Sequence, residues 1–113
     1  MQKLLVEFGM GTSLRRQDYT EAAKRAIKDA LWHNSINLAE LFGKTKEAMM
    51  IQVDVGVQQP DQVDLAALET VFPYGNPTIT VVKGGLDIPR PDGGSNPTVI
   101  ANVALSISVR GVG

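Results

Sequence analysis

The chain has no cysteine, which excludes disulfides, thiolate zinc sites and a cysteine nucleophile and fits a reducing compartment. Its only histidine, His33, falls at the exposed end of a predicted helix beside Trp32. Interaction with the helix dipole is the ordinary explanation for a histidine there, so no Ser-His-Asp set is available. With scattered carboxylates and a single histidine, no metal-ligand spacing stands out, and neither a metal nor another cofactor is expected. There is no basic block either: 11 Lys+Arg against 12 Asp+Glu give a net charge of -1, so nucleic acid is not an expected partner. No apolar run approaches the roughly 20 residues that cross a bilayer, so no membrane partner is expected. Met1-Gln2-Lys3 leads into a strand-like segment instead of a signal peptide, and a cytoplasmic location is the expectation.

What is present suits one globular domain over residues 1–113. The chain is 43% apolar and 20% charged, with a mean hydropathy of -0.02, and a chain of this length buries roughly two-thirds of its unfolded surface. Residues 2–8 alternate, with Leu4, Val6 and Phe8 on one side and Lys3, Leu5 and Glu7 on the other, which predicts a first strand ended by Gly9-Met10-Gly11. Asp18 and Glu21 stand at capping-box spacing ahead of a run of helix formers, which predicts a helix near 18–34 with a small apolar stripe of Ala23, Ala26, Ile27, Ala30 and Leu31. Asn37 to Gly43 reads as one or two further helical turns. Met49–Val57 alternates with period two and predicts a second strand. Pro60-Asp61 opens a second main helix reaching Phe72, where Pro73 stops it. Residues 78–83 form a β-branched third strand ended by Gly84-Gly85. Residues 87–97 read as a long loop, and 98–110 as the longest strand, with Val99, Ala101, Val103, Leu105 and Ile107 on one side.

The order β-α-β-α-β-β predicts an α+β, two-layer fold: a four-stranded sheet with two main helices on one face. The other sheet face is then bare, and Leu5, Glu7, Met50, Gln52, Asp54, Ile100, Asn102, Ala104, Ser106 and Ser108 are expected on it. That mixture is too apolar for free solvent and too polar for a core, which points to a homo-oligomer that covers the face or lines clefts with it.

Five segments carry a resemblance: Glu7 to Gly11, Gln17 to Ala26, Val71 to Gly75, Val82 to Leu86 and Ile100 to Ala104. In this order they resemble the "conserved hypothetical" Lin family of bacteria and plant plastids, over nearly the whole chain. That family has a Gly-x-Gly-x-Asp-x-His-Gly signature near its start and no established function. Gly9 and Gly11 match it, whereas Ser13, Arg15 and Arg16 stand where the Asp, His and last Gly would be, so only the two glycines carry over. The chain is more remotely similar to one repeat of the cyanuric acid hydrolase and barbiturase group, which implies a threefold assembly with clefts between units. That group's nucleophilic serine precedes a Gly-Gly pair. Here the residue is Lys83, which cannot reproduce a serine acyl-enzyme.

Several constellations offer chemistry, each with a plainer alternative. Gly9-Met10-Gly11 between strand and helix suggests a backbone anion cradle, against a simple tight turn. Arg15 and Arg16 beyond it suit a carboxylate or phosphate, against two solvated loop arginines. Lys83 with Glu7 or Asp54 offers an acid and a base, Glu7 and Asp54 being read as a carboxylate pair on the bare face; the plainer alternative pairs them with Arg110 or Lys3 across a subunit contact. Asn102 and Ser106 on the last strand are candidates to bond a polar ligand, against small interface residues. The expectation is therefore a homo-oligomer, a trimer favoured, that binds a small polar or anionic metabolite between subunits through Arg15, Arg16, Gly9, Gly11, Gly84, Gly85, Asn102 and Ser106. The alternatives are a ring-opening amide hydrolase-like enzyme using Lys83, Glu7 and Asp54, and a catalytically inactive structural subunit.

Overall fold

The computed structural model describes residues 5–32, 49–72 and 76–109. In chain order the elements are β1 (Leu5–Ser13), α1 (Tyr19–Trp32), β2 (Met49–Val57), a 3-10 turn (Pro60–Gln62), α2 (Leu65–Glu69), β3 (Asn76–Lys83), β4 (Leu86–Ile88) and β5 (Thr98–Val109). The fold is α+β, with an open sheet of five strands where the sequence predicts four. The main order is β1-β5-β2-β3; β5 runs antiparallel to β1 and β2, while β2 and β3 are parallel. The additional strand, β4, pairs with Thr98 to Ile100 of β5 on the side that β2 occupies further along. Its three residues sit in and before the proline-rich stretch, where the turn residues hide so short a strand.

Alternation gives the core. Ile51, Val53, Val55 and Val57 of β2 and Val99, Ala101, Val103, Leu105 and Ile107 of β5 are buried together with Ala22, Ala23, Ala26, Ile27 and Ala30 of α1 and Leu68 of α2. Both helices therefore share one side of the sheet. The helix α1 starts as its sequence suggests: Glu21 N donates to the Asp18 carboxylate at 2.9 Å, satisfying a free donor of the first turn. The second helix is much shorter than the expected span. Val63 is extended, and Asp64 N donates to Thr20 Oγ1 at 2.9 Å. That tertiary bond breaks the helical run, and the Asp64 side chain then caps α2 by accepting from Ala67 N at 3.3 Å. The predicted turns at 37–43 lie outside the described residues, as does His33.

The largest correction concerns β1. Gly9 and Gly11 do not end the strand; they lie within it and face the helix. A Cβ on Gly9 would stand 2.2 Å from Ala26 O, and one on Gly11 2.3 Å from Ala22 O. The main chain of α1 thus rests directly on the strand. This contact sets the strand's facing. Glu7, Gly9 and Gly11 pair in register with Leu105, Val103 and Ala101, and Leu5 stands opposite Ile107. Glu7 therefore belongs to the helix-bearing side, and its expected placement on the bare face is reversed; the side chain of Leu5 lies outside the described residues. Val6, Phe8 and Met10 lie on the bare face, with Phe8 70% exposed.

The outer edge of β1 is also occupied. Met10 N donates to Asp29 Oδ2 at 2.9 Å, and Arg25 donates to Thr12 O at 2.6 Å. These side chains of α1 take up backbone groups that an incoming strand would use. Among the described residues, no helix is long and apolar enough to cross a membrane.

A methyl group at either glycine has nowhere to go but into helix backbone, so overpacking at the upper end of its usual range applies. Gly11→Ala is expected to lower stability by about 3 kcal/mol and the melting temperature by roughly 10 °C. Urea unfolding followed by circular dichroism measures this, and Lys28→Ala, on the exposed side of α1, serves as the control with little change.

Candidate functional site

The strands β1, β2 and β3 all finish at the end of the sheet where β5 begins, and the residues that follow them gather there. Because these three strands run in the same direction, the segments that follow them, including the start of α1, converge at that end. Arg15 and Arg16 follow β1, Gln58 follows β2, and Lys83, Gly84 and Gly85 close β3.

Two adjoining clefts open around the β1–α1 loop. One, of about 480 Å³, is lined by Ser13, Leu14, Arg15, Arg16, Asp18, Glu21 and Arg25. The other, of about 360 Å³, is lined by Leu14, Arg15, Arg90, Pro91, Asp92 and Thr98. Leu14 and Arg15 form the ridge between them. The arginines differ in how far they are committed. Arg25 pairs with Glu21 at 3.3 Å and holds Thr12 O, and Arg90 pairs with Asp92 at 2.6 Å. The Arg15 and Arg16 side chains are exposed and carry no hydrogen bond or ion pair among the described residues. The loop before β5 is tied to this ridge, since Asn96 Nδ2 donates to Arg15 O at 3.0 Å. Gly93, at φ 77°, makes the tight turn in which Gly94 N donates to Asp92 at 2.9 Å. That N–H, followed by Arg90, holds the Asp92 carboxyl below its usual range.

The sequence-predicted residues do not form one site within a chain. Lys83 lies on β3, the edge strand opposite β1, so three strand spacings, roughly 14 Å, separate it from the arginine ridge. Glu7 and Asp54 are on opposite faces of the sheet, with β5 between their strands; Asp54 pairs with Ala104 and is exposed on the bare face. The carboxylate pair expected of them does not exist, because the glycines turn Glu7 to the helix side. Asp54 instead accepts from Gln52 Nε2 at 3.2 Å. Asn102 is exposed on the bare face, and Ser106, buried, lines a hollow of about 300 Å³ on that face with Gln52, Thr78 and Ser108 among its walls.

The glycine pairs act mainly on packing. The space above Gly9 and Gly11 on the helix side is filled by α1. At the other turn, Gly84 N donates to Val57 O at 2.9 Å, and Gln58 Nε2 donates to the carbonyls of both Gly84 and Gly85 at 3.1 Å. Gly85 has φ 60°, and a Cβ there would meet Ile100 O at 2.0 Å, so only glycine fits.

Residues that sequence reasoning missed include Arg25 and Arg90, whose positions in a helix and a loop carry no motif, and a buried pair beneath the turn. Tyr19, 2% exposed, donates its hydroxyl to Asp87 Oδ2 and accepts from Gln17 Nε2 at 3.1 Å. The other carboxyl oxygen of Asp87 is buried with no hydrogen-bond partner among the described residues. The pair fastens β4 to the start of α1. Its only sequence signal was an aspartate between Leu86 and Ile88, within what reads as a loop.

The family model for conserved hypothetical proteins, Lin0512_fam, matches residues 3–107. The chain belongs to the Lin0512 family. A crystal structure described as an FtsZ-like protein of unknown function, from Nostoc punctiforme, is similar to this Lin0512 protein at 31% identity over 96% of each chain, with a TM-score of 0.87. No curated protein sequence matches it.

Burial first, and then the bond to Asp87, raise the Tyr19 hydroxyl above its ordinary value near 10. A raised folded-state value favours the protonated form, so the contribution to stability is complete below about pH 10 and is lost as pH rises through the folded value. Ultraviolet titration should show one tyrosine ionising late, with unfolding promoted above pH 10. Tyr19→Phe removes that late component and, by leaving the buried carboxyl without its donor, costs about 1–3 kcal/mol at neutral pH.

Proposed function

We propose that this Lin0512 protein binds a small polar or anionic metabolite at the arginine ridge, acting as a cytoplasmic homo-oligomer, a trimer favoured, in which a neighbouring copy completes the cleft. The supporting observation is the pair of uncommitted guanidinium groups, Arg15 and Arg16, on the wall of a cleft of about 480 Å³ at the carboxyl end of the sheet. Guanidinium forks match carboxylate and phosphate oxygens, and such a cleft is of ligand size. The same wall carries Asp18 and Glu21. Acceptors beside donors suit a ligand that combines an anionic group with N–H donors, such as an amide- or ureide-bearing acid.

The involvement of Lys83 depends on assembly. It stands too far from the ridge to share a small ligand within one chain, so it takes part only if a neighbour supplies it. The amide hydrolase reading loses its acid and base because Glu7 lies three strands from Lys83, while Asp54 is on the opposite face of the sheet from it, and no further observation favours it.

Thermal-shift and calorimetric screening of small carboxylates, cyclic amides, ureides and phosphate esters tests the proposal. A hit is expected to lose about tenfold or more in affinity in Arg15→Ala and in Arg16→Ala. A ligand whose affinity is unchanged in both variants overturns the site. Lys83→Ala weakens the same ligand if clefts are shared between copies and leaves it unchanged if each cleft works alone.

A further inference from the structure

Among the described residues, most of the large hydrophobic side chains left exposed lie on the helix-free face of the sheet. Among the described residues, the large hydrophobic side chains left exposed are Val6, Phe8, Met10, Leu14, Leu65, Val82, Leu86 and Ile88. Strand register puts all of these except Leu14 and Leu65 on this one face. Phe8 is 70% exposed and Met10 55%. Among the described residues neither packs against a helix, since α1 and α2 lie on the other side.

We propose that a second copy of this chain seats on this face, with Phe8 and Met10 of β1 as its anchors. The proposal rests on the oligomeric part of the reading above and not on any ligand.

Charge argues for a self-contact. Among the described residues of the face, Asp54 is the only charged side chain, so two copies meet with little repulsion. A lipid surface or a nucleic acid would call for lysine and arginine around such a patch, and the described face has none. Shape argues the same way. The row across the sheet through Phe8 continues to Ala104 and Asp54, and the row through Met10 continues to Asn102, Gly56 and Val82. Large side chains on β1 thus stand beside small ones, Ala104 and Gly56, so each copy offers both projections and room that receives them.

Extent fits as well. The face is as long as the 12-residue β5 and four strands wide, roughly 700 Å² at the usual rise and spacing. A stable association commonly buries about 800 Å² per partner. The alternative of joining sheets edge to edge is obstructed at β1, where Asp29 and Arg25 already hold Met10 N and Thr12 O.

Light scattering and sedimentation of the full chain, wild type against Phe8→Glu, Met10→Ser and the edge variant Asp29→Ala, test the assignment. The wild type is expected to exceed the 12.2 kDa of one chain at micromolar concentration. Its melting temperature should rise with protein concentration, because association draws on the folded form. Phe8→Glu should weaken self-association at least about thirtyfold, as loss of a large aromatic anchor does, while Asp29→Ala leaves the mass unchanged. If Phe8→Glu melts at low concentration, partial recovery of its fold on concentrating it still supports the covered face. A monomeric wild type overturns both this proposal and the oligomer itself. A wild-type oligomer that persists unchanged in Phe8→Glu and Met10→Ser overturns this face alone and moves the contact to a sheet edge or the helices.

Discussion

The contact between the main chains of β1 and α1 governs the rest of this structure. Two positions without side chains, Gly9 and Gly11, let the helix rest on the strand at distances that any Cβ would forbid. The helix answers with its own small stripe of Ala22, Ala26 and Ala30, all fully buried. Close packing of this kind gains dispersion contacts over the whole contact line, which compensates for the few large apolar groups that the helix contributes. It also leaves no freedom in the facing of the strand. Because side chains alternate, glycines turned to the helix force Val6, Phe8 and Met10 to the other side. An unusually apolar open face is therefore a direct consequence of how tightly the helix is held.

The same helix finishes the strand's edge. Asp29 and Arg25 project from α1 to bond backbone groups of Met10 and Thr12 that no neighbouring strand satisfies. At the far end of the strand, Asp18 begins the helix and Ser13 Oγ accepts from Asp18 N at 3.1 Å. The loop carrying Arg15 and Arg16 is thereby held between two anchored ends, one in the sheet and one in the helix. Tyr19 and Asp87 attach β4 to this region, and Asn96 ties the following loop to Arg15. The arginine ridge is built on local turns, yet segments some 70 to 80 residues away in sequence fix its surroundings.

Much of the fold was legible in the residue pattern. Alternation in β2 and β5 identified both strands and their buried sides correctly, because there only one side is rich in Val, Ile and Leu. Asp18 and Glu21 marked the start of α1. In β1, apolar residues occupy both sides, so hydrophobicity carries no information on facing. The signal lay in the glycines, whose meaning as a close approach depends on a helix more than ten residues away. The second helix was overestimated since its periodicity is sound, but a hydrogen bond from Asp64 N to Thr20 interrupts it. The strand β4 was hidden by prolines and glycines beyond it.

The amino-acid order alone settled the fold class, the family, the buried sides of β2 and β5, and the presence of two arginines after the first strand. Those properties arise from neighbours in sequence and from periodicity, which act over a few residues. Tertiary structure decided the facing of β1, the separation of Glu7 from Asp54, the distance of Lys83 from the arginines and the burial of Asp87 against Tyr19. Each of these depends on which strand lies beside which, and on a backbone contact between elements that sequence spacing does not encode.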